Sequence, residues 1–199
     1  MAFPPAPWQM RGQLWLSVFR IRRPVDERHP AGVYGVALVD YQPGSPLTYH
    51  ELLVARAVGA GRNRRVSITD IWVDSADSRD GGRALWAIPK DLGTFGHRER
   101  RWGPVARSEW SVDLASGPVV RARFADLSRI APRVRFRGGT WQPPIDDHPG
   151  PVSADLHGSS RALPCWGAWE FHAEGPLGWL AGRRPVLSAR MVDFTMSFG

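Results

Sequence analysis

Hydrophobic residues fall along the chain in short runs punctuated by Gly, Pro and Asp, and few of the runs keep a helical period. Residues 14–21 (LWLSVFRI) combine aromatic and β-branched types and read as a strand. Residues 32–41 (GVYGVALVDY) read as a buried strand whose interior glycine marks a bulge or a close approach. The QPGSP stretch at 42–46 is a turn by composition. Residues 48–58 (TYHELLVARAV) fit a helix or a strand by periodicity; the turn before them and the β-like run at 65–73 (RVSITDIWV) favour a strand.

After Val73 the pattern changes. The segment DSADSRDGGRALWA offers Asp74 or Ser75 as N-cap of a short helix that Gly81 and Gly82 are expected to stop. Beyond Pro89, runs at 105–114, 118–125, 132–142, 152–157 and 164–173 predict an antiparallel meander, and residues 185–198 a last strand. Many short strands with few helices predict a mainly β (α+β) domain, a curved antiparallel sheet or barrel. The chain has 199 residues and no repeat or long linker, so 1–199 reads as one domain.

Composition changes this picture little. Hydrophobic residues make up 43% and charged residues 23%, as in an ordinary globular protein. Ten Trp residues suit sheets packed around an apolar interior. The net charge of +7 raises the question of nucleic acid, but the arginines are dispersed. Their densest groups are Arg62, Arg64 and Arg65, then Arg98, Arg100 and Arg101, then Arg133, Arg135 and Arg137. No zinc-finger spacing, RNA-binding aromatic motif or basic heptad accompanies them, and solvated surface arginines are the expected reading, with no nucleic-acid partner. Nothing approaches the roughly 18 apolar residues of a membrane helix. Met1–Pro7 has neither a basic start nor a signal-length apolar run, so a cytoplasmic protein without a membrane partner is expected. The six histidines show no ligand spacing, no metal is expected, and Asp146-Asp147-His148 reads as a solvated turn. Gly81-Gly82 and Gly138-Gly139 match no phosphate loop or dinucleotide fingerprint. Cys165, the single cysteine, excludes an intrachain disulfide and reads as a core residue.

Candidate chemistry rests on one residue. Of 26 cationic side chains, 25 are Arg and one is Lys90. An amine can lose its proton near neutral pH and act as a nucleophile, whereas a guanidinium cannot. A single lysine in an arginine-saturated chain therefore points to amine chemistry. The apolar run Ala84–Pro89 before it is expected to build a dry wall, and burial depresses a lysine pKa.

These residues have a family likeness. The segment GGRALWAIPKDLGTF (81–95) resembles the part of acetoacetate decarboxylases that carries Gly-Arg, an apolar stretch and the Pro-Lys of the Schiff-base lysine. Tyr49-His50-Glu51 resembles the family's Tyr-x-Glu. Pro7-Trp8, VALVDY (36–41) and IWVD (71–74) stand in the family's order, so the likeness spans roughly residues 4–95. It implies a cone-shaped, mainly antiparallel, closed β-barrel with an apolar interior and a few short helices. It also implies an imine between Lys90 and a small-molecule keto substrate, with Glu51 handling protons or orienting substrate, and with no metal or organic cofactor. Tyr49, Arg83 and Trp86 would contact substrate, and self-association into a homo-oligomer is expected.

Three positions depart from the family pattern. The lysine that follows the nucleophile there is Asp91 here, and the glutamate after Gly-Arg is Ala84. An ungapped count from Pro7-Trp8 places Gln13 where the family has a substrate-handling arginine, and a neutral Gln cannot pair with a carboxylate as Arg does. The sequence therefore supports three readings. They are a β-keto acid decarboxylase, an imine-forming aldolase, dehydratase or cyclase on a larger keto compound, and a non-catalytic barrel that binds an apolar ligand.

Overall fold

The computed structural model describes residues 3–59, 65–145 and 148–199; Arg62, Arg64 and the Asp146-Asp147 turn lie outside the described residues. The strands are β1 (Trp8–Ile21), β2 (Gly32–Tyr41), β3 (Tyr49–Val58), β4 (Arg65–Val73), β5 (Asp91–Leu92), β6 (Thr94–Trp102), β7 (Val105–Leu114), β8 (Gly117–Asp126), β9 (Arg133–Gln142), β10 (Val152–Pro164), β11 (Trp166–Phe171) and β12 (Leu187–Phe198). One α-helix, α1 (Ala76–Trp86), lies between β4 and β5.

One sheet runs β3-β2-β1-β12-β10-β9-β4-β5, and β3 also pairs with β4, so seven strands close into a barrel with β5 as an extra strand. Neighbours are antiparallel except at β4–β9 and β4–β5, which makes the barrel mixed rather than purely antiparallel. Closure leaves the seven strands without a free edge. The expected meander is instead divided. Strands β7 and β8 join β6 and β11 in a separate four-stranded sheet, whereas β9, β10 and β12 belong to the barrel wall.

Period-two alternation explains how one wall serves two cores. Trp15, Phe19, Tyr34, Leu38 and Leu52 point outward and pack beneath the small sheet against Trp110, Val112, Phe124 and Phe171. Trp8, Met10, Val39, Tyr41 and Tyr49 point inward with Ile71, Trp86 and Phe194. The near-continuous apolar run of β2 follows from burial on both faces. Cys165 packs against the outer core, and burial pushes its thiol up to about 12.

Between barrel and small sheet lies Arg190, fully buried. It donates to Asp126 Oδ2 at 2.9 Å and to Glu99 and Gln13, and it lies 4.6 Å from the Trp15 ring. This is a cation held by two carboxylates and an aromatic face, and it joins β12 to β6 and β8.

The helix is longer than the glycines suggest. Ser75 caps its N-terminus by accepting from Ser78 N, and the helix runs through Gly81 and Gly82 to Trp86. These glycines serve close packing instead of termination. A Cβ on Gly81 would lie 2.7 Å from the Trp8 ring, and one on Gly82 would lie 2.7 Å from Lys90 Cδ. The stop comes at Ala87, which takes left-handed φ 52° and returns its N–H to Arg83 O, just ahead of Pro89. No helix among the described residues is long and apolar enough to cross a membrane.

Candidate active site

The turn after α1 brings Lys90 into the barrel. Its backbone N–H bonds Ile88 O at 2.7 Å, and its carbonyl accepts from Arg83 Nη1 at 3.4 Å. The side chain passes over Gly82, where the absent Cβ leaves room, and ends inside with 4% of the residue exposed. Its amine lies 2.8 Å from Glu51 Oε2 and donates to Ser78 Oγ at 3.0 Å and Tyr49 Oη at 3.3 Å. The hydroxyl of Tyr41 donates to Glu51 Oε1 at 3.2 Å, so both carboxyl oxygens have buried partners.

Alternation along β3 places Tyr49 and Glu51 together on the inner face and His50 on the outer one. There His50 Nδ1 meets Asp74 Oδ2 at 2.7 Å, outside the cavity. Trp86 joins the cavity wall, edge-on to Trp8 at 4.9 Å and Phe198 at 4.7 Å between centroids. The cavity measures about 190 Å³ and is lined mainly by apolar side chains such as Met10, Leu14, Leu53 and Ile68.

Two expected contacts fall elsewhere. Gln13 lies on the opposite face of β1 from Trp8, as an odd spacing of five residues along a strand requires, and accepts from Arg190 in the outer core. The ungapped count from Pro7-Trp8 therefore does not give a substrate contact at Gln13. Arg83 does not line the cavity either; it holds the turn that carries Lys90. Asp91 is exposed, and its carboxylate accepts from Leu92 N at 2.7 Å, so it does not face the amine. Two members of the cluster, Ser78 and Tyr41, were not among the residues singled out from sequence.

The electrostatics reverse one expectation. Burial is the largest influence on Lys90 and pushes its pKa down, but the facing Glu51 carboxylate and the Tyr49 and Glu51 hydrogen bonds together hold it above the ordinary lysine value. The resting amine is thus an ammonium. Burial pushes Tyr49 up to about 12 and Tyr41 well above the usual phenol range, so both remain neutral hydrogen-bonding groups. Among the described residues no group of three or more His, Cys, Asp or Glu is placed to hold a metal ion.

Chemically, the site pairs a buried amine with a carboxylate that can take its proton, beside an apolar space with room for a small organic molecule. The packing predicts that Gly82→Ala displaces Lys90, because the amine is tethered at three points and its methylenes cannot swing aside freely. We expect Lys90 trapping by a carbonyl compound and borohydride to fall at least ~10-fold in this variant. Urea unfolding should show that it stays folded though less stable, because up to about 1 kcal/mol of helix propensity offsets only part of an overpacking cost of about 1–3 kcal/mol.

No protein-family model matches the sequence, and no curated protein matches it. Solved structures do. A structure of acetoacetate decarboxylase aligns over 99% of this chain and 88% of its own, with TM-score 0.66 and 17% identity. The acetoacetate decarboxylase of Legionella pneumophila aligns over 99% and 86%, with TM-score 0.65 and 14% identity. The enduracididine biosynthesis enzyme MppR complexed with pyruvate aligns over 98% and 89%, with TM-score 0.65 and 15% identity. The closed barrel, its companion sheet and the alignment of nearly the whole chain together show that this protein has the fold of acetoacetate decarboxylase and the enzymes like it.

Proposed function

We propose that the protein is an imine-forming enzyme of the acetoacetate decarboxylase type, a lyase in which Lys90 attacks the carbonyl of a keto substrate. The observation that carries this reading is the 2.8 Å pair between the chain's single lysine and Glu51, both buried at the wall of an apolar cavity. The fold likeness supports it, since one structure of this fold is an enzyme complexed with pyruvate, itself a keto acid.

In this reading Glu51 takes a proton from the Lys90 ammonium as substrate enters, which frees the amine. A C–N bond forms at the carbonyl carbon, and a proton moves from nitrogen to the former carbonyl oxygen. Glu51 then returns its proton to that oxygen, which leaves as water. The iminium that remains draws electrons from the neighbouring bond. Loss of carbon dioxide from a β-keto acid is the simplest outcome. The same iminium serves an aldolase, dehydratase or cyclase, and one observation favours this second reading: no arginine is among the described residues lining the cavity. Carbon dioxide release from β-keto acids discriminates the two.

The role of Glu51 has its own test. Glu51→Gln removes the charge that does most to raise the Lys90 pKa and leaves burial opposed by Tyr49 alone. The midpoint of the pH profile for trapping at Lys90 should move to lower pH, while turnover at the optimum drops about 10²–10⁴-fold with loss of the proton carrier. An unmoved profile would show that Glu51 does not govern the amine.

A further inference from the structure

We infer that the substrate of this site is a neutral, apolar-bodied carbonyl compound of about seven or eight non-hydrogen atoms, rather than a small keto acid. The inference rests on the imine reading at Lys90 and adds the class of molecule that the imine is made from.

Charge is the first argument. Among the described residues that line the cavity, Lys90 is the single cation and Glu51 the single acid. The two are already paired at 2.8 Å, and the iminium that replaces the ammonium keeps the same positive charge beside Glu51. A substrate carboxylate would add a second negative group with no further cation among the described lining residues to meet it. Burying an unpaired charge among apolar side chains is strongly unfavourable.

Lining chemistry is the second argument. Apart from the Lys90–Glu51 pair, the polar side-chain groups of the lining residues are the hydroxyls of Tyr41, Tyr49 and Thr140 and the indole N–H groups of Trp8 and Trp86, all neutral. Tyr41 and Tyr49 are engaged with Glu51 and Lys90. Thr140 Oγ1 is buried without a hydrogen-bond partner among the described residues. By strand register it sits beside Val66 at the β4–β9 pairing. A neutral hydroxyl can satisfy a neutral oxygen but cannot neutralise a carboxylate. Size is the third argument. An apolar cavity of ~150 Å³ holds benzene, so about 190 Å³ takes one or two heavy atoms more.

With such a substrate the electron pair for the enamine comes from a C–H or C–C bond. Glu51, left as carboxylate when water departs, accepts the α-proton, and the C–H electrons shift into the C–N system. No carbon dioxide is lost and no oxidant or reductant is needed.

The test compares two methyl ketones of nearly equal size on the wild-type protein: 2-heptanone and 5-oxohexanoate, which ends in a carboxylate. Each is incubated with the protein and cyanoborohydride, and the mass added at Lys90 is measured against labelling of a simple amine in buffer. We expect 2-heptanone to label Lys90 on the order of 100-fold more efficiently than 5-oxohexanoate after that normalisation. Exchange of α-hydrogens of 2-heptanone in deuterated water should be accelerated as well. A preference below about tenfold, or better labelling by 5-oxohexanoate or acetoacetate, would overturn the inference while leaving the imine reading intact. Absence of labelling by every ketone would instead overturn the imine reading, and this inference with it.

Discussion

Lys90→Met is expected to lose all substrate-dependent labelling by borohydride and to reduce turnover by at least about 10⁴-fold, as removal of a catalytic nucleophile does elsewhere. Methionine keeps an unbranched chain across Gly82 but has no amine. The same change should also weaken the fold. Glu51 is only 3% exposed and would lose the cation 2.8 Å away, and an uncompensated buried charge costs about 3–5 kcal/mol. Two effects are therefore superposed in the single variant, and a second variant separates them. Lys90→Met with Glu51→Gln removes both charges and should regain most of the unfolding free energy in urea while remaining inactive. If the double variant were as unstable as the single one, the pair would not be the source of the loss.

The second large effect is structural and lies outside the cavity. Arg190→Leu should destabilise the protein by about 3–5 kcal/mol, which for a chain of this size lowers the thermal midpoint on the order of 10 °C. Asp126 and Arg190 have fully buried side chains, and Glu99 is nearly buried, so removal of the cation leaves the Asp126 carboxylate without a cation, beside a Glu99 that keeps Arg101 alone. Adding Asp126→Asn and Glu99→Gln to Arg190→Leu should return part of the stability. Because Arg190 joins the small sheet to the barrel and not to Lys90, borohydride trapping in the folded variant should stay close to wild type. A change of less than about 1 kcal/mol in the unfolding free energy would show that this cluster does not hold the two sheets together.

These two sites differ in how far they could be read from sequence. Lys90 stood out because every other basic side chain is an arginine, and chemistry separates the two residue types more sharply than any pattern does. Tyr49 and Glu51 share a face because strands alternate, and the structure places both on the inner one. The same rule contained a warning about Gln13. Five residues from Trp8 is an odd step, so the two cannot point the same way along β1. Tyr41 was also within reach, because a β2–β3 hairpin with its turn at 42–48 pairs Tyr41 with Tyr49 across the strands.

Other features were not legible. Ser78 meets Lys90 because the turn after α1 folds the lysine back along the helix over Gly82, and no local pattern encodes that contact. Gly81 and Gly82 looked like a helix stop because their backbone entropy disfavours helix interiors. Tertiary packing overrides that preference, since Trp8 and Lys90 occupy the space their side chains would fill. Strand β6 has no apolar signature because it is an edge strand, mostly exposed, with Arg98, Glu99, Arg100 and Arg101 in its second half. The division into barrel and small sheet follows from which runs pair, and burial of one wall on both faces hides the alternation that would have shown it.

The central claim is that Lys90 forms an imine, and the chain makes this unusually direct to test. Lys90 carries the single side-chain amine, so the α-amino terminus is the one competing primary amine in the sequence. The decisive measurement is peptide mass mapping after incubation with a ketone and borohydride. The account predicts one adduct, on the peptide containing Lys90, that is absent when Lys90 is replaced by methionine. An unmodified Lys90 with every carbonyl compound tried, or labelling confined to the terminus, would contradict it.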